Sequence, residues 1–220
     1  MKKIKLSFLF VLLTSIVLGQ SNQGTVNFKT VIIDTIANTI TQQDSVYTRY
    51  FFKPNKSLFE TGFVNRPNFQ KTIVKENDIY SIICNYDDKK AYHSEMKGGL
   101  NLTTLLNYKD TSIRITKTTI TKTIAGRTCK KLYLRFNMVG APTFVLWYDE
   151  TINCSSIIPG AGVAGKSVKG LIMEYEIKSP TGKYIITADS ISFSTVPNSL
   201  FTPNLAGYQI TELNDEGDDD

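Results

Sequence analysis

Residues 160–167, GAGVAGKS, match the phosphate-cradling pattern G-x-x-x-x-G-K-S and also contain G-x-G-x-x-G. In a nucleotide site the backbone N–H groups of such a loop hold the phosphates, Lys166 reaches their terminal oxygens and Ser167 holds the metal. Upstream, VLWYDE (Val145 to Glu150) has the form of the apolar run with an acidic end that binds Mg²⁺ in such enzymes. That chemistry also needs a buried strand feeding the loop and a helix leaving it, so that the helix N-terminus faces the phosphates. Ser155 to Pro159 is too short for the strand, and Leu171 to Ile177 followed by Pro180-Thr-Gly182 reads as a strand entering a hairpin. We therefore expect Gly160, Gly162 and Gly165 to form a connection between strands, with no nucleotide, metal or other cofactor.

His93 is the single histidine. A Ser-His-Asp or Cys-His site would have to use it, and a multi-histidine metal centre is excluded. Its surroundings, KKAYHSE, read as a polar strand end or turn with a solvated ring. Thiol nucleophiles are limited to Cys84, inside the apolar IYSIIC, and Cys129, whose neighbours Lys130 and Lys131 would lower its pKa. The alternative for Cys129 is a disulfide or a small strand residue. An enzyme would rest on Cys129 or His93, or on Lys166 if the glycine-rich loop held phosphate. Three cysteines in an oxidising compartment leave room for one bridge and one thiol. If 128–137 and 142–150 form a hairpin, Cys129 falls opposite about Glu150, with Cys154 roughly 13 Å further at the strand rise. A bridge tolerates about 4.4 to 6.8 Å, so that pair is not favoured. Asp87-Asp88 and Asp149-Glu150 stand at turn positions, where carboxylates serve turn chemistry more than a glycosidase-like pair.

The elements that must position these residues read almost throughout with a period of two, as half-buried strands do. Val26, Phe28 and Ile32 alternate with polar neighbours, as do Val46, Tyr50 and Phe52, then Leu132, Leu134 and Phe136, then Leu171, Met173, Tyr175 and Ile177. Short turn signals separate the runs, so consecutive strands are antiparallel. Two long strands change parity: RITKTTITKTI moves from Ile113 and Ile115 to Ile120 and Ile124, and YIITADSISF from Tyr184 and Ile186 to Ile191 and Phe193. A one-residue offset marks a bulge, and bulges bend strands. The expected fold is mainly β, a strongly curved antiparallel sheet forming an incomplete barrel, with one or two short helices. The best helix candidate is Gly99 to Tyr108. Tyr47, Tyr50, Phe51, Phe52, Phe59, Phe63 and Phe69 crowd both parities of the early strands. Either two layers meet there or an apolar surface stands open to a ligand; packing inside the core is the simpler expectation.

The chain begins MKKIKLSFLFVLLTSIVLGQ, with lysines ahead of an apolar run and Gly19 closing it. That is the pattern of a cleaved secretory signal peptide over residues 1–19, too short to span a bilayer. Cleavage removes Lys2, Lys3 and Lys5 and brings the formal charge from +5 to +2. The lysines that remain are spread out, with none of the basic blocks and interleaved aromatics of a nucleic-acid site. The expected organisation is one β domain over 20–211, large enough for one core, and a disordered acidic tail over 212–220 that includes Asp215, Glu216 and Asp218 to Asp220.

Four pieces, KTIAGRTCKKLYL (Lys122 to Leu134), VLWYDE, the glycine-rich loop into VKGLIMEYEI (Val168 to Ile177), and SLFTPNLAGYQI (Ser199 to Ile210), occur in an order that resembles the GLPGLI family and related exported bacterial proteins. The resemblance covers about 113–210. It keeps Gly170-Leu171-Ile172 without a preceding G-L-P, and has Asp149 where a Thr is common. The wider group is similar to LolA/LolB-like carriers, whose curved sheet wraps one or two helices or a hydrophobic groove. This resemblance implies an exported, non-enzymatic envelope or secreted protein and carries over no catalytic residue. A hydrophobic small molecule, a lipid or an envelope protein would then meet the sheet interior at Tyr50, Phe52, Trp147, Met173 and Tyr175, and a structural surface component is the alternative.

Overall fold

The computed structural model describes residues 22–44, 46–64, 66–75, 78–85, 89–96, 113–136, 143–154, 168–179, 182–202 and 204–212. The leader over 1–19, the helix candidate Gly99 to Tyr108, GAGVAGKS and residues 213–220 lie outside the described residues. Thirteen strands form one sheet among those described: β1 Gly24–Asp34, β2 Thr39–Gln42, β3 Val46–Lys53, β4 Lys56–Phe63, β5 Arg66–Lys75, β6 Asp78–Asn85, β7 Lys90–Met96, β8 Ile113–Ile124, β9 Arg127–Phe136, β10 Thr143–Asp149, β11 Leu171–Ser179, β12 Gly182–Ser192 and β13 Gln209–Glu212. The order is β13-β7-β6-β5-β4-β3-β1-β12-β11-β10-β9-β8, with β2 on β1 beyond the start of β3.

Two meanders, β1 to β7 and β8 to β12, are therefore joined by one long-range antiparallel pair, β1 with β12. Every neighbouring pair is antiparallel except β13, which runs parallel to β7 from Gln209 opposite Lys90 to Glu212 opposite His93. That parallel edge departs from the expectation of neighbour-to-neighbour antiparallel pairing. It also carries the paired chain to Glu212, one residue into the stretch assigned to the tail. The described residues contain one short 3-10 turn, Asn198–Phe201.

Hairpin turns follow local chemistry. The Asp34 carboxylate accepts hydrogen bonds from the backbone N–H groups of Ile36 and Ala37, each at 2.8 Å, closing the β1–β2 turn as short acidic side chains do. Ala125 and Gly126 join β8 to β9 with φ of 46° and 75°. Two consecutive left-handed residues make a type I′ turn, whose twist matches that of the strands it connects.

Register breaks bend the sheet. Asn27 pairs with Ser190 but Phe28 with Ala188, leaving Asp189 as the extra residue of β12. This is the parity change expected in YIITADSISF. In β8 the ladder passes from Lys117–Leu132 to Thr121–Lys130, so two residues are extra rather than one. The Thr118 hydroxyl donates to the Lys131 carbonyl (2.9 Å) across this bulge. As a result Ile124 is buried while Ile120 is turned out, 52% exposed, against the expectation that both share the apolar face. A further break, between Trp147 and Tyr148, makes Met173 the extra residue of β11. The rolled shape is measurable: Cα atoms of β8 come within 8 Å of β12, although three strands lie between them and four flat spacings of about 4.8 Å would hold them ~19 Å apart. The outcome is an incomplete barrel with open edges.

The inner face of this rolled half is filled. Val26, Phe52, Leu132, Leu134, Leu146, Leu171 and Met173 are fully buried in one cluster with Tyr50, Phe59, Tyr148 and Tyr175. On the other face of β3 to β5 a second layer, Leu58 and Ile73 with Phe51, is covered by Val196, Leu200 and Phe201 of the chain that follows β12. Further along, Leu205 and Tyr208 cover Ala91. Of the crowded aromatics, Tyr50, Phe52 and Phe59 pack in the first layer and Phe51 in the second, while Phe63 is exposed.

Candidate functional site

Four of the five residues expected to line a groove meet in one place. Tyr50, Phe52, Met173 and Tyr175 belong to the main cluster with relative exposures of 3%, 0%, 0% and 4%. The Tyr50 and Phe52 rings lie 6.3 Å apart, and the Phe193 ring meets Phe52 edge-on at 6.2 Å. Burial pushes the Tyr175 phenol far above its ordinary pKa, so it stays neutral. Among the described residues this interior is already occupied by the protein's own side chains.

Trp147 separates from the other four. Leu146 is opposite Tyr175, whereas Trp147 is opposite Glu174 on β11 and Lys131 on β9. Successive strand residues point to opposite faces, so Trp147 belongs to the outer face, half-buried and leaning on the rim of the core. The ammonium of Lys122 sits 4.3 Å from its ring centre and that of Lys131 5.8 Å away; Lys131 also lies 4.9 Å from the Tyr133 ring. Glu174 accepts hydrogen bonds from Lys122 (2.6 Å) and from the Thr187 hydroxyl (3.0 Å). The outer face of β9 to β12 is thus an aromatic and cationic surface, with Glu174 balancing one lysine.

Asp149, 1% exposed, is held by the end of the same hairpin. Arg127 donates to it from Nε at 2.7 Å, and Thr151 donates from its backbone N–H (2.9 Å) and its hydroxyl (2.6 Å). The bond to the residue two positions on is turn chemistry, as expected for this carboxylate. Glu150 pairs with Lys130 on the surface, so the two acidic side chains diverge and share no site. Gly170 follows, with φ of +128°; a Cβ there would stand 2.6 Å from the Asp149 carbonyl oxygen. From Leu171 the chain is β11, antiparallel to β10. No helix leaves the glycine-rich segment at Ser167, since Val168 to Ser179 is a bend followed by strand. Residues 155–167 themselves lie outside the described residues; what is described is that the chain leaving them enters a strand antiparallel to β10 and not a helix.

Cys129 and Cys154 are both buried thiols of the main cluster. Continuing the β9–β10 register places Cys129 opposite Asp149, one residue from the expected Glu150. Burial, then the Asp149 charge, pushes the Cys129 thiol up to about 12, and the nearby Lys122 and Arg127 do not offset this. The expected lowering by neighbouring lysines is corrected accordingly: Lys130 and Lys131 are not among the groups acting on it. A neutral, inaccessible thiol is a poor nucleophile. His93 lies within β7, not at a solvated strand end, and its Nδ1 is 2.7 Å from Glu212 Oε2 on β13. Strands β7 and β9 stand near opposite ends of the sheet order, which separates His93 from Cys129; Cys84 is on the neighbouring β6, where the register sets it opposite Ala91, two positions from His93.

Among the described residues no cluster of His, Cys, Asp and Glu has the arrangement of a metal site, and no helix is long and apolar enough to cross a membrane. No protein-family profile matches the chain, and no curated protein is significantly similar to it. Among solved structures, PNGF-II in its C2 crystal form superposes with a TM-score of 0.54 at 17% identity, over 86% of this chain and 31% of that chain. MucB in complex with MucA(peri) gives 0.42 at 10% identity, over 92% and 61%. A putative outer membrane lipoprotein-sorting protein domain from Vibrio parahaemolyticus gives 0.38 at 8%, over 87% and 94%. The first similarity is one of fold, and this chain spans less than a third of that protein.

Proposed function

We propose that the chain is an exported, non-catalytic binding protein of the cell envelope that meets a protein partner on the outside of its half barrel. The observation that carries this reading is the split of the aromatic residues: Tyr50, Phe52, Met173 and Tyr175 fill the interior, whereas Trp147 faces outward between Lys122 and Lys131. Trp and Tyr held on a firm strand scaffold are the side chains enriched where proteins recognise one another. A hydrophobic ligand inside the sheet would have to displace side chains that are now fully buried. The leader and the resemblance to exported LolA-like proteins support the compartment.

The test uses the mature protein with a photo-crosslinking residue at Trp147 or Tyr133, expressed in the native host, and native mass spectrometry of the purified protein. A specific protein adduct at these positions supports the reading. Stoichiometric lipid carried through purification, with no protein adduct at either position, would overturn it in favour of a carrier.

A further inference from the structure

Three strand edges are open among the described residues: β8, β13 and the outer side of β2. Charged residues and bulges keep exposed edges from pairing with other chains. Strand β8 carries Arg114, Lys117 and Lys122 and a two-residue bulge, and β13 ends in Glu212. Strand β2, Thr39-Ile40-Thr41-Gln42, has neither device. It is uncharged, largely β-branched, and exposed at all four positions.

The direction of its backbone groups follows from one bond. Gln43 N–H donates to Thr30 carbonyl oxygen at 2.9 Å. Because antiparallel ladders alternate, Thr41 and Thr39 turn their backbone groups toward β1, and Ile40 and Gln42 turn theirs outward. Strand β3 lies on the same side of β1 but out of register with β2: Gln43 is opposite Thr30 and Thr48 opposite Phe28, so the chain between them is longer than the stretch of β1 it passes. The outer side of β2 is therefore an open backbone edge. Its hairpin carries Ile36 (77% exposed) and Ile40 (75%), the two most exposed large apolar side chains described.

We infer that this edge receives the β1–β2 hairpin of a second copy of the chain, the two β2 strands pairing antiparallel about a two-fold axis at Thr41. Ile40 then faces Gln42 of the second copy and Gln42 faces its Ile40, which satisfies the outward backbone groups of both strands. A register centred on Ile40 or on Gln42 leaves one outward residue unmatched. Thr41 faces Thr41, a favourable cross-strand pair. The two-fold repeats every contact, as in an isologous interface. Self-pairing of β2 opposes no like charges, whereas β8 against itself would set lysine and arginine against their own kind. Pairing along β2 alone falls below the ~800 Å² per partner of a standard stable interface, so the dimer is concentration-dependent and not obligate. The pairing does not use Trp147 or Tyr133, and its failure leaves the proposed partner face untouched.

Cysteine placement tests the axis. In the mature protein, Thr41→Cys puts two thiols at a non-hydrogen-bonded pair, with Cα atoms about 4.5 Å apart, within disulfide reach. Mild oxidation should convert most of this variant into covalent dimer, and Thr39→Cys or Gln42→Cys at least several-fold less. Sedimentation equilibrium gives a second readout. Thr41→Lys and Thr41→Glu should each be monomeric, keep the circular dichroism spectrum of the parent, and regain dimer when mixed in equal amounts. A parent that stays monomeric across the concentration series, cross-linking no better at 41 than at 39, or no recovery on mixing overturns the inference.

Discussion

The two meanders solve the same packing problem differently. In β8 to β12 the sheet is rolled by breaks at Lys117/Thr121, Trp147/Tyr148 and, where β12 meets β1, Asn27/Phe28. Its inner side chains converge and bury one another, and its outer face is left to Lys, Glu, Tyr and Trp. In β3 to β7 the described register break lies at the end of β4, between Gly62 and Phe63. There β3 to β5 carry apolar residues on both faces, and the second face, which also holds the Arg49–Glu60–Lys71 ion pairs, is covered in part from elsewhere in the chain, by side chains between Val196 and Tyr208. Curvature lets a sheet fold onto itself; a sheet with less of it must borrow a cover. Bulges and the C-terminal segment are, in this sense, alternative answers to the exposure of apolar strand faces.

The largest effect is expected where the two halves meet. Phe52 is fully buried between Tyr50 and Phe193, and its cluster includes residues of both meanders. Phe52→Ala should cost about 3 to 5 kcal/mol of stability, as for other buried aromatic truncations, measured by urea denaturation. A loss under about 1 kcal/mol would mean that the halves are not joined through this cluster. Phe201, 1% exposed, anchors the borrowed cover on Leu58 and Ile73. Its replacement by Ala should cost about 3 kcal/mol, but regionally. Amide exchange should quicken in β4 and β5 and stay unchanged in β9 and β10. Equal acceleration in both meanders would erase the distinction between them.

How far the chain can be read in advance also divides along this line. The bend in β12 was visible because Asp189 shifts the apolar residues of YIITADSISF by one, and alternation records a one-residue shift directly. The bulge in β8 contains two extra residues and is held by the Thr118 hydroxyl on the Lys131 carbonyl, a bond between strands that periodicity does not encode. Ile120 therefore looked like a core residue and is not. The cover over the first meander uses isolated side chains, Val196, Leu200, Phe201, Leu205 and Tyr208, on irregular chain with no repeat to detect. The parallel β13 edge escaped for the same reason. Trp147 was within reach: it is out of phase with Leu146 and Tyr148, and that phase alone separates it from Tyr175. The aromatic excess in β3 and β4 left two layers and an open apolar surface as alternatives, and the fold has some of each: Phe51 packs in the second layer while Phe63 is 51% exposed.

An intermediate effect should appear at Cys129, which distinguishes the closed interior of the rolled half from an accessible groove. Its thiol ionises near 9 when unperturbed and only at about 12 in the fold. The folded state thus holds the proton more tightly than the unfolded chain. The corresponding stability is whole below pH 9 and is lost between pH 9 and about 12, as the unfolded chain deprotonates first. Comparing the parent with Cys129→Ala isolates this contribution from the tyrosines that titrate nearby; the parent should lose more stability over that interval. Iodoacetamide at pH 8 should leave Cys129 unmodified until urea unfolds the protein. Rapid alkylation of the native protein would show that the interior is open.

The smallest effect tests the turn that starts the rolled half. Gly126 has φ of +75°, and an added Cβ would meet nothing within 4 Å. Gly126→Ala therefore introduces backbone strain without collision, and should cost about 1 to 2 kcal/mol. Its structural consequence should be minor, because Ile124 and Cys129 on either side stay buried in the cluster whatever the turn prefers. A glycine in the first meander behaves otherwise: at Gly62 a Cβ would stand 2.6 Å from the Tyr47 hydroxyl, so Gly62→Ala should displace that ring as well. If Gly126→Ala proves the more disruptive of the two by amide exchange, the β8–β9 turn holds the roll in place. The breaks at Lys117/Thr121 and Trp147/Tyr148 would then be consequences of curvature and not its source.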